Sequence, residues 1–233
     1  MMRFRKLLLI VPALILAYLA IAALWAWSSV DAVLASLPVP QSAPLSERQT
    51  AILLRVEDPT FFAHHGLSIG SGQGLATISS AVARDVFLQH GQLDGVRSAL
   101  QSVYQHVFAC CKRIDMGRDM MALVLDARLS KREQLARYTA GVYMGTHAGR
   151  QVRGLPQAAQ AYLGKPLDAA TEHEFVTLVA MIKAPNQFHP VRNPTALAER
   201  SRRIHALMSG ACKPDGWFDT AFDSCETGTK TAG

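Results

Sequence analysis

Leu7 to Trp27 is an unbroken run of 21 residues without a charged side chain. At 1.5 Å per residue that is enough helix to cross about 30 Å of hydrocarbon. A segment of this kind cannot share its surface with water, so it predicts a transmembrane signal-anchor at 7–27 and leaves the rest of the chain to build the fold. Arg3, Arg5 and Lys6 precede it and Trp25 and Trp27 close it. That asymmetry predicts a cytoplasmic basic flank at 1–6, an aromatic pair at the opposite interface, and everything beyond outside the cytoplasm. A cleaved signal peptide is the competing reading, but its apolar region runs only about 7 to 15 residues. The Ala20-Ile21-Ala22 stretch that could mimic a cut site lies inside the run, so an uncleaved anchor is preferred. Pro38, Pro40 and Pro44 with Ser28, Ser29, Ser36 and Ser42 predict a linker over 28–45, with a folded domain from Ser46 to residue 209 and a tail at 210–233.

The 233 residues, 49% of them apolar, suffice for one folded domain with a substantial core. Formal charge is +6, and three of those positive charges belong to the cytoplasmic flank. About +3 outside a membrane argues against a nucleic-acid partner and suits anionic headgroups or a phosphorylated lipid. An exported chain meets oxidising conditions. Cys212 and Cys225 would close a short loop there and are expected to bridge. Adjacent Cys110 and Cys111 lack zinc-ligand spacing and read as packed or partly exposed thiols.

Helix signals dominate after Glu57, and no sustained alternation of the kind a sheet shows is present, so the body is expected to be mainly α. Ser130 to Glu133 reads as a capping box opening a helix through about Tyr143, and Thr171 to Glu174 opens another that ends before Pro185. Asn193-Pro194 is an N-cap followed by proline at the first helical position, with Gly210 as terminator. Pro156 to Leu163 predicts a short helix with Ala158, Ala159, Tyr162 and Leu163 toward the core, closed by Gly164. GLSIGSGQGLAT, residues 66–77, holds four glycines and reads as a mobile loop. It lacks the spacing of a phosphate-cradling P-loop. After it, Ile78, Ala81, Val82 and Val86 share one helical face. In residues 91–114, Val96, Leu100, Val103, Tyr104, Val107 and Phe108 recur at helical spacing, which suits a groove-covering or membrane-facing helix.

Five segments occur in order: VEDPTFFAHHG, QGLATISSAVARDVFL, MALVLDARLSKREQLARYTAGVYMG, RGLPQAAQAYLGKP and FHPVRNPTALAERSRRIHALM. Through them the chain resembles glycosyltransferase family 51 over about residues 46–209. This is the peptidoglycan glycosyltransferase domain of class A penicillin-binding proteins and of monofunctional transglycosylases. The resemblance implies a mainly α, lysozyme-like lobe with a small membrane-associated lobe, acting on lipid II and a growing glycan chain. No Ser-x-x-Lys motif occurs, so a monofunctional enzyme is expected. It would sit in a bacterial inner membrane, single-pass, with its catalytic domain in the periplasm, beside other cell-wall synthesis proteins.

Glu57, Asp58, Phe61, His64 and Gly66 fill the family's first block, Glu-Asp-x-x-Phe-x-x-His-x-Gly, position by position. A sugar hydroxyl is a weak nucleophile at neutral pH, so a carboxylate must take its proton as it attacks. The resemblance makes Glu57 that base. Phe61 and Phe62 are expected as apolar walls raising its pKa, and Asp58 and His64 as residues orienting the turn beside the substrate. Read without the resemblance, Glu57-Asp58 is an ordinary acid pair at a helix end, and His64 and His65 lack metal-ligand spacing. Gln73 and Thr77 match the second block, and Arg84 keeps a cation where the family has lysine, fitting a pyrophosphate leaving group. Lys131 and Arg153 match later positions and join the candidate substrate contacts, although a solvated helix face and a structural ion pair are the plain alternatives.

Several positions depart from the pattern. Arg118 occupies the place of the second family glutamate, which is associated with the pyrophosphate or a bound divalent metal. Ala140 replaces the asparagine of a Tyr-x-Asn element, although Tyr138, Tyr143 and Gly145 match, and the stretch from Gly66 to Gln73 is short. Two readings therefore stand: a membrane-anchored glycosyltransferase using Glu57 with an altered phosphate site, or a degenerate relative that binds lipid II or a partner without polymerising it. A lytic hydrolase on a similar scaffold is a distant third, since no second carboxylate is suitably spaced.

Overall fold

A computed structural model describes residues 2–40, 44–108 and 115–225; Cys110 and Cys111 lie outside them. The protein is mainly α, and it divides into two compact units. The first draws its described residues from Met1–Val39, His65–Leu67 and Ser79–Lys131, the second from Pro40–His64, Ser68–Ile78 and Arg132–Gly233.

In the first unit, α1 runs from Met2 to Ser36, and its stretch Ile10–Ser36 is long and apolar enough to cross a membrane. The helix continues nine residues past the apolar run, so the segment expected as a linker, 28–45, is helical over its first part. The reason lies in its stripe. Ala22, Trp25, Ala26, Ser29, Val30 and Val33 recur at helical spacing and are all buried, and tertiary packing of such a face outweighs the weak propensity of serine. Trp25 donates its indole N–H to the Arg97 carbonyl (3.1 Å), while the Arg128 guanidinium lies 4.3 Å over the Trp27 ring and pairs with Asp31 at 3.3 Å. Helix α3, Ile78–Arg84, runs on as a π-helical turn, Asp85–His90, which turns Val86 and Phe87 both inward; Ala81, expected on the apolar face, is exposed. The segment with no family counterpart forms α4, Gly95–Phe108, with Val96, Leu100, Val103 and Val107 on its exposed side. Helix α5, Met116–Asp126, starts at an Asp115 N-cap whose carboxylate accepts the Arg118 N–H.

The second unit is organised around α8, Glu172–Ile182, in which Phe175, Val176, Leu178, Val179, Ala180 and Met181 are all buried. A helix whose apolar face is this broad belongs in a core, with Glu172 and His173 left exposed at its start, and each large side chain so buried contributes about 1.5–3 kcal/mol. Thr171 and Glu174 form the reciprocal capping box read from the sequence. Packed on α8 are α2, Glu47–Glu57, opened by a second box at Ser46 and Gln49, and α9, Pro194–Met208, opened by Asn193. Helix α6, Lys131–Gly141, gives way to a two-stranded antiparallel hairpin, β1 Tyr143–His147 and β2 Arg150–Arg153. The helix expected through about Tyr143 thus ends at Gly141, and the hairpin is too short to show the sustained alternation of a sheet. Helix α7, Leu155–Leu163, buries Ala158 and Ala159 as expected. Tyr162 and Leu163 are only half-buried: the Tyr162 hydroxyl turns to the Met144 carbonyl (2.9 Å). Cys212 and Cys225 form a disulfide.

Candidate functional site

Helix α2 ends on the Glu57-Asp58 pair, and the two carboxylates meet different surroundings. Asp58 is completely buried and its backbone N–H caps the helix. Its side chain accepts the Ile78 backbone N–H at 2.9 Å and faces His64 Nε2 at 3.0 and 3.1 Å. An ionised carboxylate only accepts, so Nε2 carries the proton in this pair. Asp58 thereby ties the start of α3 to the turn after α2. Gly66, two residues beyond His64, has φ +96°, and a Cβ there would stand 2.8 Å from the Ala122 carbonyl; the motif's glycine is a packing requirement in the first unit.

Glu57 keeps a half-buried position. The Tyr138 hydroxyl from α6 donates to its Oε2 at 3.2 Å. Burial pushes the carboxyl above the usual carboxylate range, opposed by the Arg200 charge, the Tyr138 hydrogen bond and the Lys183 charge, while Asp58 adds to the rise. Burial and the adjacent Glu57 hold the Tyr138 phenol protonated well above its ordinary range, so it remains a donor. Arg200, on α9, is buried; it donates to the carbonyls of Ala180 and Thr220, each at 3.0 Å, between the rings of Phe188 and Phe222 at 5.3 Å. A carboxyl raised in this way and still reachable by solvent suits proton abstraction near neutral pH. Of the two phenylalanines expected as an apolar wall, Phe61 is buried edge-on to His64 (6.1 Å) and Phe62 is 58% exposed.

The remaining candidates fall in both units. In the second, Gln73 and Thr77 are buried in the glycine-rich turn. Gln73 Nε2 reaches the Ala76 carbonyl at 3.4 Å, and its Oε1 has no partner among the described residues. Arg153 is half-buried and donates to the Gly141 carbonyl (3.3 Å). In the first unit, Arg84 is exposed. Lys131 pairs with Asp126 at 2.6 Å and approaches Ser79 Oγ at 3.4 Å. Arg118 is 7% exposed, lies 3.4 Å from Asp119, and its Nε is unpaired among the described residues. No group of three or more His, Cys, Asp or Glu side chains suitable for a metal occurs among the described residues, and a cation at position 118 is a poor metal donor, so no step is assigned to a metal.

Two residues acting on Glu57 escaped the sequence reading, Arg200 and Lys183. Arg200 was findable: Leu197, Arg200, Ile204 and Leu207 share the buried stripe of α9, and a charge within a core stripe needs a partner. Lys183 follows a helix end and carries no such signal.

The chain matches the transglycosylase family over residues 35–209, a stretch opening in the last turn of α1. Penicillin-binding protein 1B of Escherichia coli (strain K12) is 30% identical over 159 residues, covering 67% of this chain and 18% of that protein. Penicillin-binding protein 1A of Pseudomonas aeruginosa is 30% identical with the same coverage, and penicillin-binding protein 1F of Bacillus subtilis (strain 168) is 27% identical over 67% of this chain and 21% of its own. The chain thus spans about a fifth of the length of these relatives. With the first block of the family pattern folded around Glu57 and three-quarters of the residues inside the match, the chain belongs to the transglycosylase family.

Proposed function

We propose that the protein is a membrane-anchored peptidoglycan glycosyltransferase that polymerises lipid II, with Glu57 as the general base. The acceptor sugar's 4-hydroxyl gives its proton to the Glu57 carboxylate as its oxygen bonds to the anomeric carbon of the donor. The bond from that carbon to the lipid pyrophosphate breaks on the opposite face, with inversion, and undecaprenyl pyrophosphate leaves with the electron pair. Tyr138 holds the carboxylate in place, and Arg200 and Lys183 keep enough of it ionised to act. The observation carrying this reading is a half-buried, hydrogen-bonded carboxyl with a raised pKa at the first position of the family's first block.

For Gln73, Thr77 and Arg153 the proposed role is substrate contact. Asp58 and His64 would act by holding the turn, since their shared hydrogen bonds occupy them. For Arg84, Arg118 and Lys131 the proposal rests on charge alone: a pyrophosphate that gains negative charge as it leaves calls for cations. The helix Ile10–Ser36 would be the single span, with the basic flank in the cytoplasm and the residues beyond the span on the periplasmic side of a bacterial inner membrane. A second reading draws on Arg118, which replaces an acid by a buried cation: a relative that holds lipid II, or a cell-wall synthesis partner, without joining sugars. Purified full-length protein with labelled lipid II, scored for polymer and separately for binding, decides between them. Polymer supports the enzyme; binding without polymer supports the second reading; neither removes both.

A further inference from the structure

Residues beyond the family match do more than trail from α9. Between Cys212 and Cys225 the chain closes on itself through the disulfide. Inside that loop the Asp219 carboxylate accepts the backbone N–H groups of Asp215 (2.9 Å) and Asp223 (2.8 Å) and the Ser224 hydroxyl (2.6 Å). The loop lies on the second unit along two lines. On one, the backbone N–H groups of Gly72 and Gly74 donate to the carbonyls of Gly216 (2.9 Å) and Trp217 (2.8 Å), so the turn read as a mobile loop is fastened on both sides of Gln73. The approach is close enough that a Cβ on Gly72, already at φ +77°, would stand 2.6 Å from Pro214 and 2.9 Å from Phe222. On the other line, Thr220 holds two cations: its carbonyl accepts from Arg200 at 3.0 Å and its hydroxyl from the Lys183 ammonium. Phe222, buried, adds a ring face to Arg200.

We propose that this disulfide-closed segment is a positioning strap for the Glu57 site, fixing the two cations whose charge acts on Glu57 and the glycine-rich turn that carries Gln73. The proposal rests on the reading of Glu57 as the base. The groups acting on Glu57 are Asp58 beside it, Tyr138 from α6, Lys183 from the end of α8 and Arg200 from α9. Of these the strap holds the two cations, and both favour the ionised carboxylate. Opening the strap lets them move and leaves Asp58 in place, so Glu57 then holds its proton to higher pH. The strap is a positioning element and touches no reacting atom.

The test uses the full chain in detergent micelles with carboxyl-labelled glutamate, the Glu57 signal being assigned by its loss in Glu57→Gln. Carboxyl titrations compare oxidised protein, the same protein reduced with a phosphine, and the double variant Cys212→Ser with Cys225→Ser. The expected result is a rise of about half a pH unit or more in the Glu57 midpoint on opening the strap, the direction that loss of nearby positive charge requires. Thr220→Val, which keeps the disulfide and removes only the hydroxyl contact to Lys183, should give a smaller rise with an unchanged melting temperature. A Glu57 midpoint that stays fixed in Thr220→Val and in reduced, still folded protein overturns the proposal. Polymerisation is read alongside: its acid limb should move with the carboxyl midpoint, whereas a strap that only stabilises the fold would lower the rate equally at every pH. If wild type makes no polymer, the glycosyltransferase reading fails while the carboxyl titration still decides the strap.

Discussion

Asp58 offers a quantitative check on how the turn beside Glu57 is held. Asp58→Ala removes two hydrogen bonds to a carboxylate, from the Ile78 N–H at 2.9 Å and from His64 at 3.0 Å. It also leaves both donors in a place that water does not reach, since Asp58 is fully buried and the His64 side chain is 7% exposed. Breaking a buried pair from one side costs about 3–5 kcal/mol, a large share of the roughly 5–15 kcal/mol that holds a domain together. Asp58→Asn is a different experiment. Its amide oxygen still accepts from Ile78, and its NH2 group can face His64 if the imidazole moves its proton to Nδ1, so the loss should fall to about 1–2 kcal/mol. Denaturant unfolding in mild detergent, with the disulfide intact in every sample, measures both variants. The double variant Asp58→Ala with His64→Ala should cost less than the sum of the two single changes, because the orphaned imidazole is gone. A loss below about 1 kcal/mol for Asp58→Ala, or strict additivity with His64→Ala, would refute the buried pair as the fastening of this turn.

Three further outcomes follow from the same geometry. Tyr138→Phe removes a hydrogen bond to a charged acceptor, worth about 1.5 kcal/mol at its long 3.2 Å separation; the acid limb of polymerisation should rise by about one pH unit, and an unmoved limb excludes Tyr138 from the site. Because the folded Glu57 carboxyl is raised by burial above its unfolded value, its contribution to stability is full below the unfolded pKa and fades as pH rises through the folded one. Glu57→Gln should therefore gain stability relative to wild type as pH rises above the ordinary carboxylate range, which paired melting curves detect; a difference that stays constant with pH contradicts the raised carboxyl. Opening the Cys212–Cys225 loop, a separation of 13 residues, should cost about 3 kcal/mol by chain entropy, and equal melting of oxidised and reduced protein would show that the closure adds no stability.

Features written in local chemistry were legible in the sequence. The Thr171 capping box, the Asn193-Pro194 start and the paired cysteines each depend on side chains within a few residues of one another or on compartment, and each is present. The first family block likewise led to Glu57 and to the tightly bonded Asp58 and His64. What escaped depends on partners distant in sequence. Helix α1 passes Trp27 because unit-internal packing buries Val30 and Val33, which no count of prolines and serines conveys. The β1–β2 hairpin is two short strands with an irregular register around an Ala148-Gly149 turn, too brief for alternation to register and without the Asn-Gly signal. Tyr138 matched a family position, yet its hydrogen bond to Glu57 spans 81 residues of chain. The docking of the tail onto Gly72 and Gly74 uses backbone groups, and backbone groups leave no side-chain signature.

The most direct measurement is polymerisation of labelled lipid II by purified wild type and Glu57→Gln side by side, each first shown to bind the substrate. Glutamine keeps the shape of the side chain and its contact with Tyr138 but cannot take a proton. If Glu57 is the base, the variant should bind as wild type does and polymerise roughly 100-fold to 10,000-fold more slowly. Equal polymerisation by the two proteins would contradict the assignment of Glu57 and the function built on it.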